Sequence, residues 1–329
     1  MKKLLVTGGM GFIGSNFIRQ YIDKYEIINL DKLTYAGNPA NLEDIEDHPN
    51  YEFIKGDICD DKIVEECIEK GVEAIINFAA ETHVDRSIMY AGDFIETDMY
   101  GTFVLLEAAK KYDLDRFVQI STDEVYGEIE EGLFKETDQL DPSNPYSASK
   151  TGADRLASTY YKTYGLDTVT ARPSNNFGPY QYPEKLIPLF TTNAIDDNEL
   201  PIYGDGSQIR DWLYVKDNCE AIEFLLRKGK SGEAYNVGGG NEKTNMEITK
   251  KILEVTGKSE DLIKFVEDRP GHDVRYALDN TKINELGWKP QYDFQEAMEK
   301  TIKWYMENED WWRPIKSGEF KEYYEEKYN

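Results

Sequence analysis

Asp123 and Glu124 lie side by side in the run Ser121-Thr122-Asp123-Glu124-Val125-Tyr126-Gly127, directly after the apolar stretch from Phe117 to Ile120. That stretch reads as a buried strand, and the carboxyl ends of strands are where open α/β sheets place chemistry. Side chains alternate faces along a regular strand, so both carboxyls can meet one substrate only where the strand has ended and the chain has turned. A carboxyl kept protonated near one that stays ionised supplies the acid and base of an elimination. Tyr146 and Lys150 follow Pro145, which can open a helix, and their i,i+4 spacing puts both on one face. A phenol with an ordinary pKa of ~10 is a poor base at neutral pH. A neighbouring ammonium and a positively charged cofactor ring would stabilise the phenolate and make it a useful one. An acidic loop pair and a chance YxxxK are the plain alternatives; the position of the pair and the glycine loop upstream weigh against them.

That glycine loop is Gly8, Gly11 and Gly14, a GxxGxxG spacing between a strand-like and a helix-like run. Glycine there permits a tight turn, close approach of backbone amides to a pyrophosphate, and close packing of helix on strand. Three glycines alone are weak evidence, but Asp31 ends the next strand-like run, where a carboxylate can accept hydrogen bonds from the adenine ribose. It would repel a 2′-phosphate, which favours NAD over NADP; a loop-capping aspartate is the plain alternative. Asp57 and Ile58 follow the third such run and can meet the adenine, and at the end of the fourth Phe78 leads into Ala79 and Ala80, small residues where backbone passes near a cofactor. With a dinucleotide present, the phenol, the ammonium and the two carboxyls can oxidise a substrate, eliminate from it and reduce it again.

The elements that must hold these groups alternate regularly. Residues 2–6, 26–30, 51–55, 74–78, 117–120 and 168–171 read as strands with helical pattern between them, which implies a doubly wound parallel sheet with helices on both faces, a Rossmann-type α/β fold. The second half is less regular, with turn clusters at residues 203–206 and 237–240, and reads as a smaller α/β domain over the carboxyl ends of the strands. A helix from about Val215 to Arg227 and a strand near Tyr235 to Val237 are expected to return to the main sheet. At 329 residues the chain can bury a large core. Its first apolar run, Leu4 to Val6, is far shorter than the ~20 residues of a membrane span, so a cytoplasmic location without membrane contact is expected. With 38 Lys+Arg against 63 Asp+Glu the net charge is −25, which argues against nucleic acid and anionic lipid as partners. Cys59, Cys67 and Cys219 are odd in number and scattered, as expected of thiols in a reducing compartment. His48, His83 and His272 form no HExxH or similar spacing, so no metal is expected; His83 follows a strand in a polar loop and is read as shaping the site.

Taken together, Thr7 to Gly14, Asp31 to Gly37, Ala79 to Ser87, Ser121 to Gly127, Pro145 to Lys150 and Arg210 to Val215 resemble the dTDP-glucose 4,6-dehydratases, a branch of the extended short-chain dehydrogenase/reductases. The resemblance runs from residue 1 to about residue 305, and Thr122-Asp123-Glu124 is its most specific part, since related epimerases carry the YxxxK pair without the adjacent Asp-Glu. It implies NAD as cofactor, a nucleotide sugar as substrate, and a homodimer built on helices of the larger domain. It implies that Tyr146 takes the proton of the 4-hydroxyl, Glu124 removes the proton of carbon 5, Asp123 protonates the departing 6-hydroxyl, Thr122 bonds the 4-oxygen, and Lys150 holds the nicotinamide ribose. Phe12, Ile13, Lys32, Leu33, Thr34, Thr97 and Asn176 join the cofactor contacts by the same resemblance. Thr82, Asn175, Lys185, Leu186, Pro201, Ile202, Tyr203, Arg210, Asn245, Arg269 and His272 become substrate contacts, with Arg210 and Arg269 suited to a diphosphate because guanidinium forks match phosphate oxygens. Residues 1–173 with 213–238 would form the NAD-binding domain, and 174–212 with 239–329 the nucleotide-sugar domain. A UDP-sugar 4-epimerase, a UDP-sugar 4,6-dehydratase and a catalytically silent NAD-binding protein are the alternatives. The chain departs from the family at Thr82, usually serine, at Asp98, usually asparagine, and at Phe177, usually tyrosine; Asp98 would put a charge near the site or simply face solvent.

Overall fold

The computed structural model describes residues 2–267 and 275–317. In chain order its strands are β1 (Lys3–Thr7), β2 (Glu26–Asp31), β3 (Tyr51–Lys55), β4 (Ala74–Asn77), β5 (Arg116–Ile120), β6 (Thr168–Pro173), β7 (Asn175–Phe177), β8 (Leu200–Tyr203), β9 (Ile209–Tyr214), β10 (Ala234–Val237), β11 (Glu242–Thr244) and β12 (Ile263–Val266). The helices are α1 (Phe12–Tyr21), α2 (Asp61–Ile68), α3 (Val84–Met89), α4 (Ala91–Phe94), α5 (Thr102–Lys111), α6 (Pro145–Tyr164), α7 (Leu186–Ile195), α8 (Val215–Lys228), α9 (Asn245–Thr256), α10 (Thr281–Leu286), α11 (Phe294–Glu307) and α12 (Glu309–Ser317). A π-helical stretch, Ile95–Gly101, joins α4 to α5.

Seven parallel strands form the main sheet in the order β10-β6-β5-β4-β1-β2-β3. Leu4, Leu5 and Val6 have no exposed surface, as expected of a parallel strand covered on both faces. On one face Val6, Ala74 and Val118 join Phe17 and Ile18 of α1 and Ile222 and Leu225 of α8; on the other Leu5, Ile75 and Phe117 join Val64 of α2, Leu105 of α5 and Tyr160 of α6. Strand order reverses between β1 and β4, so connections leave in opposite directions and a crevice opens at their carboxyl ends. A buried polar row fixes that rim: Thr7 Oγ1 donates to Asn77 Oδ1 (2.6 Å), and Asn77 Nδ2 donates to Gln119 Oε1 (3.0 Å).

Beyond β6 the chain builds a mixed sheet, β11-β9-β7, and a parallel pair, β12-β8. Between these, α8 and β10 return to the main sheet, β10 pairing with β6, as the sequence predicts. The expected strands recur with small shifts; β6 runs two residues past Ala171 because Val237 pairs with Pro173. Ile187, Phe190, Ile248, Ile252 and Met298 of α7, α9 and α11 belong to the same apolar cluster as the sheet, so the second layer is packed onto the first.

Candidate active site

The turn after β1 is built by contact between backbones. Gly8 has φ +69°, and a Cβ there would lie 2.6 Å from Ala79 N; a Cβ on Gly14 would lie 2.4 Å from Gly8 O. Gly11 caps α1 without a side-chain bond, so the first amides of that helix, at its positive dipole end, are left for a ligand. Asp31 ends β2, its carboxylate accepting from Met10 N (2.9 Å) and Leu33 N (2.8 Å), while burial raises its pKa. Leu33 has φ +58°, and this turn sets Asp31 on the cavity wall while sending Leu33 to a neighbouring groove beside Trp311. Lys32 Nζ lies 2.6 Å from Asp57 Oδ2, and Asp57 Oδ1 accepts from Cys59 N (2.9 Å).

Past β5 the chain turns at once into a single 3-10 turn, Asp123–Tyr126, so that two consecutive carboxyls leave the strand's alternation and face one space. Thr122 Oγ1 donates to Asp123 Oδ1 (3.2 Å) and accepts from Glu124 N (3.3 Å). Asp123 is 3 % exposed, and its Oδ2 has no hydrogen-bond partner. Burial first, then the charges of Glu124 and Asp211, push its carboxyl up to about 8, which keeps it protonated at neutral pH.

Pro145 opens α6, and Asn144 and Ser147 form a reciprocal capping box there. This seats Tyr146 and Lys150 on the buried face, as their spacing predicts. Their coupling differs from expectation. Burial, followed by the charges of Glu124 and Asp98, holds the Tyr146 phenol well above its ordinary value, while a Thr122 hydrogen bond opposes the rise. The Lys150 ammonium, instead of lowering the phenol, donates to Ile120 O at 2.7 Å. Asp98 is also resolved: it does not face solvent. It is 1 % exposed, accepts from Glu81 N (2.9 Å) and Ser149 Oγ (2.6 Å), and is pushed up to about 6, chiefly by burial and against the pull of Lys150. His83 caps α3, accepting from Arg86 N, with Nε2 3.5 Å from Glu184 Oε2.

One cavity of about 310 Å³ collects these groups. Thr122, Asp123, Glu124, Tyr146 and Lys150 all line it. So do Gly8, Gly11, Phe12, Ile13, Gly14, Asp31, Lys32, Thr34, Asp57, Ile58, Phe78, Ala79, Ala80, Thr97 and Asn176. Of the predicted substrate contacts Thr82, Asn175 and Lys185 join them, Lys185 Nζ donating to Thr82 O (2.9 Å). Leu186, Pro201, Ile202, Tyr203, Arg210 and Asn245 lie outside this lining. Ile202 is packed in the apolar core, and the Arg210 guanidinium lies 4.7 Å from the centre of the Tyr276 ring. Arg269 and His272 fall outside the described residues.

The sequence reading missed Glu81, Ser121, Gln181, Tyr182 and Glu184 in the lining. Ser121 and Glu81 sat inside motifs already noted, but the run from Gln181 to Glu184 has no periodicity and only its Pro183 to mark it. Ser121 Oγ, Asp123 Oδ2, Asn175 Oδ1, Asn176 Oδ1 and Gln181 Oε1 are buried and lack hydrogen-bond partners, and each residue lines this cavity. Buried polar atoms without partners are rare and costly unless a ligand satisfies them. The set therefore fits a hydroxyl- and amide-bearing ligand, and the glycine cradle with the open amides of α1 fits a pyrophosphate.

The model of the family described as GDP-mannose 4,6 dehydratase matches residues 5–301. A dTDP-glucose 4,6-dehydratase of Streptomyces niveus is 50% identical over 323 residues, covering 96% of each chain. The low-salt glycan biosynthesis protein Agl12 of Haloferax volcanii is 52% identical over 309 residues, covering 93% of this chain and 99% of its own. The crystal structure of a dTDP-glucose 4,6-dehydratase from Streptomyces venezuelae, with NAD bound, superposes with a TM-score of 0.92 at 48% identity, covering 95% of this chain and 99% of that one.

Proposed function

The chain belongs to the GDP-mannose 4,6-dehydratase family, and from that premise we propose that it is an NAD-dependent dTDP-glucose 4,6-dehydratase, a hydro-lyase forming the 4-keto-6-deoxy sugar. The observation that carries this reading is one cavity holding Tyr146, Lys150 and the adjacent Asp123 and Glu124, with Asp123 kept protonated. NAD, when bound, accepts hydride from carbon 4 and returns it to carbon 6. With the positive nicotinamide ring beside it to stabilise the phenolate, Tyr146 would take the proton of the 4-hydroxyl, and Thr122 hydrogen-bonds the 4-oxygen. Lys150, anchored on Ile120 O, holds the nicotinamide ribose. The 4-keto group acidifies carbon 5, Glu124 removes the proton there, and Asp123 gives its proton to the 6-hydroxyl as it leaves. An epimerase needs the first two groups only; the acid and base at carbons 5 and 6 favour dehydration. Asp31 supports NAD over NADP, because a carboxylate on the cavity wall repels a 2′-phosphate.

Ile88, Met89, Tyr90, Ile95, Tyr100 and Phe103 are exposed on the run from α3 to α5, which supports a homodimer closed across this face. Among the described residues no helix is long and apolar enough to cross a membrane.

The deciding experiment gives the purified protein dTDP-glucose, UDP-glucose and GDP-mannose separately in deuterated water. The expected result is a 4-keto-6-deoxy product from dTDP-glucose, with solvent deuterium at carbon 5 and the original carbon 4 hydrogen at carbon 6. Epimerised sugar without loss of water, or a product with no solvent deuterium, would overturn the assigned roles.

A further inference from the structure

The reaction proposed above uses two elements that the chain does not connect directly: α6 carries Tyr146 and Lys150, and the turn after β5 carries Asp123 and Glu124. A continuous polar chain ties them together behind the cavity. Asp154 lies four residues beyond Lys150 on α6, and its carboxylate takes both forks of Arg172 on β6, at 2.8 Å from Nε and 2.9 Å from Nη2. Arg172 Nη1 donates to the Tyr126 hydroxyl at 2.6 Å, two residues past Glu124. Tyr126 donates onward to Asn236 Oδ1 on β10 at 2.8 Å, and its ring stacks on Phe134 with centroids 4.9 Å apart. Asn236 in turn holds the loop over the turn, donating from Nδ2 to Phe134 O (2.8 Å) and from its backbone to Glu136 Oε1 (2.9 Å).

Arg172, Asp154 and Asn236 are each at most 1 % exposed, and none of these residues lines the cavity. Burying a full ion pair in a core is often no gain in stability over apolar packing, because desolvation offsets the attraction. What a bidentate fork supplies is geometry, since both of its bonds are made in one orientation only.

We propose that Arg172 and Tyr126 are positioning residues, which lock the acid–base turn to the phenol–ammonium helix so that elimination follows oxidation without the sugar moving. Tyr126 is the link nearest the chemistry. Loss of its hydroxyl leaves the ring on Phe134 and 5.0 Å from the Arg172 guanidinium but removes the hydrogen bonds that tie the turn to Arg172 and Asn236. Tyr146 and Lys150 keep their own supports, the capped start of α6 and Ile120 O. Oxidation at carbon 4 therefore depends on the lock less than the steps at carbons 5 and 6 do.

The inference rests on the dehydratase reading, and the test separates the two. In Tyr126→Phe, amide hydrogen exchange should rise in the Asp123–Gly127 turn and stay unchanged in α1 and β1. With dTDP-glucose, kcat for product should fall about tenfold or more, corresponding to ~1.4 kcal/mol of barrier, with KM within about twofold. Reduced nicotinamide should accumulate during turnover, where the native protein shows little. Asp154→Asn should shift the same partition in the same direction. Native-like exchange in the turn, or oxidation and product formation falling in equal proportion, would overturn the positioning role. Failure of the native protein to convert dTDP-glucose would instead count against the dehydratase reading, and the exchange measurement would still decide whether the lock holds the turn.

Discussion

The proposed role of Asp123 as an acid rests on where it lies. It is enclosed in protein, next to Glu124, with one oxygen given only the Thr122 hydroxyl, and burial is the first cause of its rise to about 8. The steps at carbons 5 and 6 should therefore slow as pH rises through about 8, while oxidation at carbon 4 does not follow that limb; single-turnover measurement of each step checks this. The same shift bears on stability. A carboxyl whose folded pKa is raised gives stability that is fully present below its unfolded value and is lost as pH rises through the folded one. Asp123→Asn keeps the shape and removes that loss. Its melting temperature should exceed the native one at about pH 9 and approach it at about pH 5, while its product formation falls at least a hundredfold. Equal melting curves at the higher pH would contradict the assignment of a buried, proton-holding carboxyl.

Each reacting group owes its position to how its element begins or ends. β5 stops at Ile120 and the chain tightens, so Asp123 and Glu124 share a space that strand alternation would deny them. Pro145 and the Asn144–Ser147 box start α6 one residue before Tyr146. At the cofactor end, α1 can approach β1 only because Gly14 has no side chain. A Cβ there would meet Gly8 O at 2.4 Å and Gly9 Cα at 2.8 Å, both backbone, so the helix would have to shift as a unit. Gly14→Ala should therefore weaken NAD by about tenfold or more while the far-ultraviolet circular dichroism stays native; a fluorescence titration of NAD into both proteins measures this. Affinity within twofold of native would mean that the helix start does not hold the pyrophosphate.

At the scale of the whole molecule, charge and apolar surface oppose each other. The chain carries −25, so two copies repel. The exposed row from Ile88 to Phe103 works the other way, and Tyr100 and Phe103 lie with ring centroids 5.8 Å apart on it. The proposed dimer should tighten with added salt, because screening weakens the repulsion and leaves the apolar term in place. Tyr100→Glu should shift it to monomer at low ionic strength, as read by sedimentation velocity. A native protein that is monomeric at high salt, or a variant that is still fully dimeric at low salt, would move the interface elsewhere.

The sequence by itself determined the parts whose physics is local. Gly8, Gly11 and Gly14 mark a tight turn between strand and helix, Asp31 ends an apolar strand, Tyr146 and Lys150 follow a proline at helical spacing, and Asp123 and Glu124 follow a strand. All of these line one cavity, because strand and helix periods carry over directly into placement. Tertiary structure alone decided what depends on residues distant in the chain. Nothing near Arg172 in sequence points to Asp154, and nothing near Tyr126 points to Asn236, yet these pairs meet in the core. The sign of the Tyr146 shift was likewise decided in space. Helical spacing foresaw the neighbouring ammonium, but burial and the carboxylates of Glu124 and Asp98, brought in from other elements, set the direction of the shift. A pKa is set by everything within a few ångströms, and sequence spacing names only the neighbours on the same element.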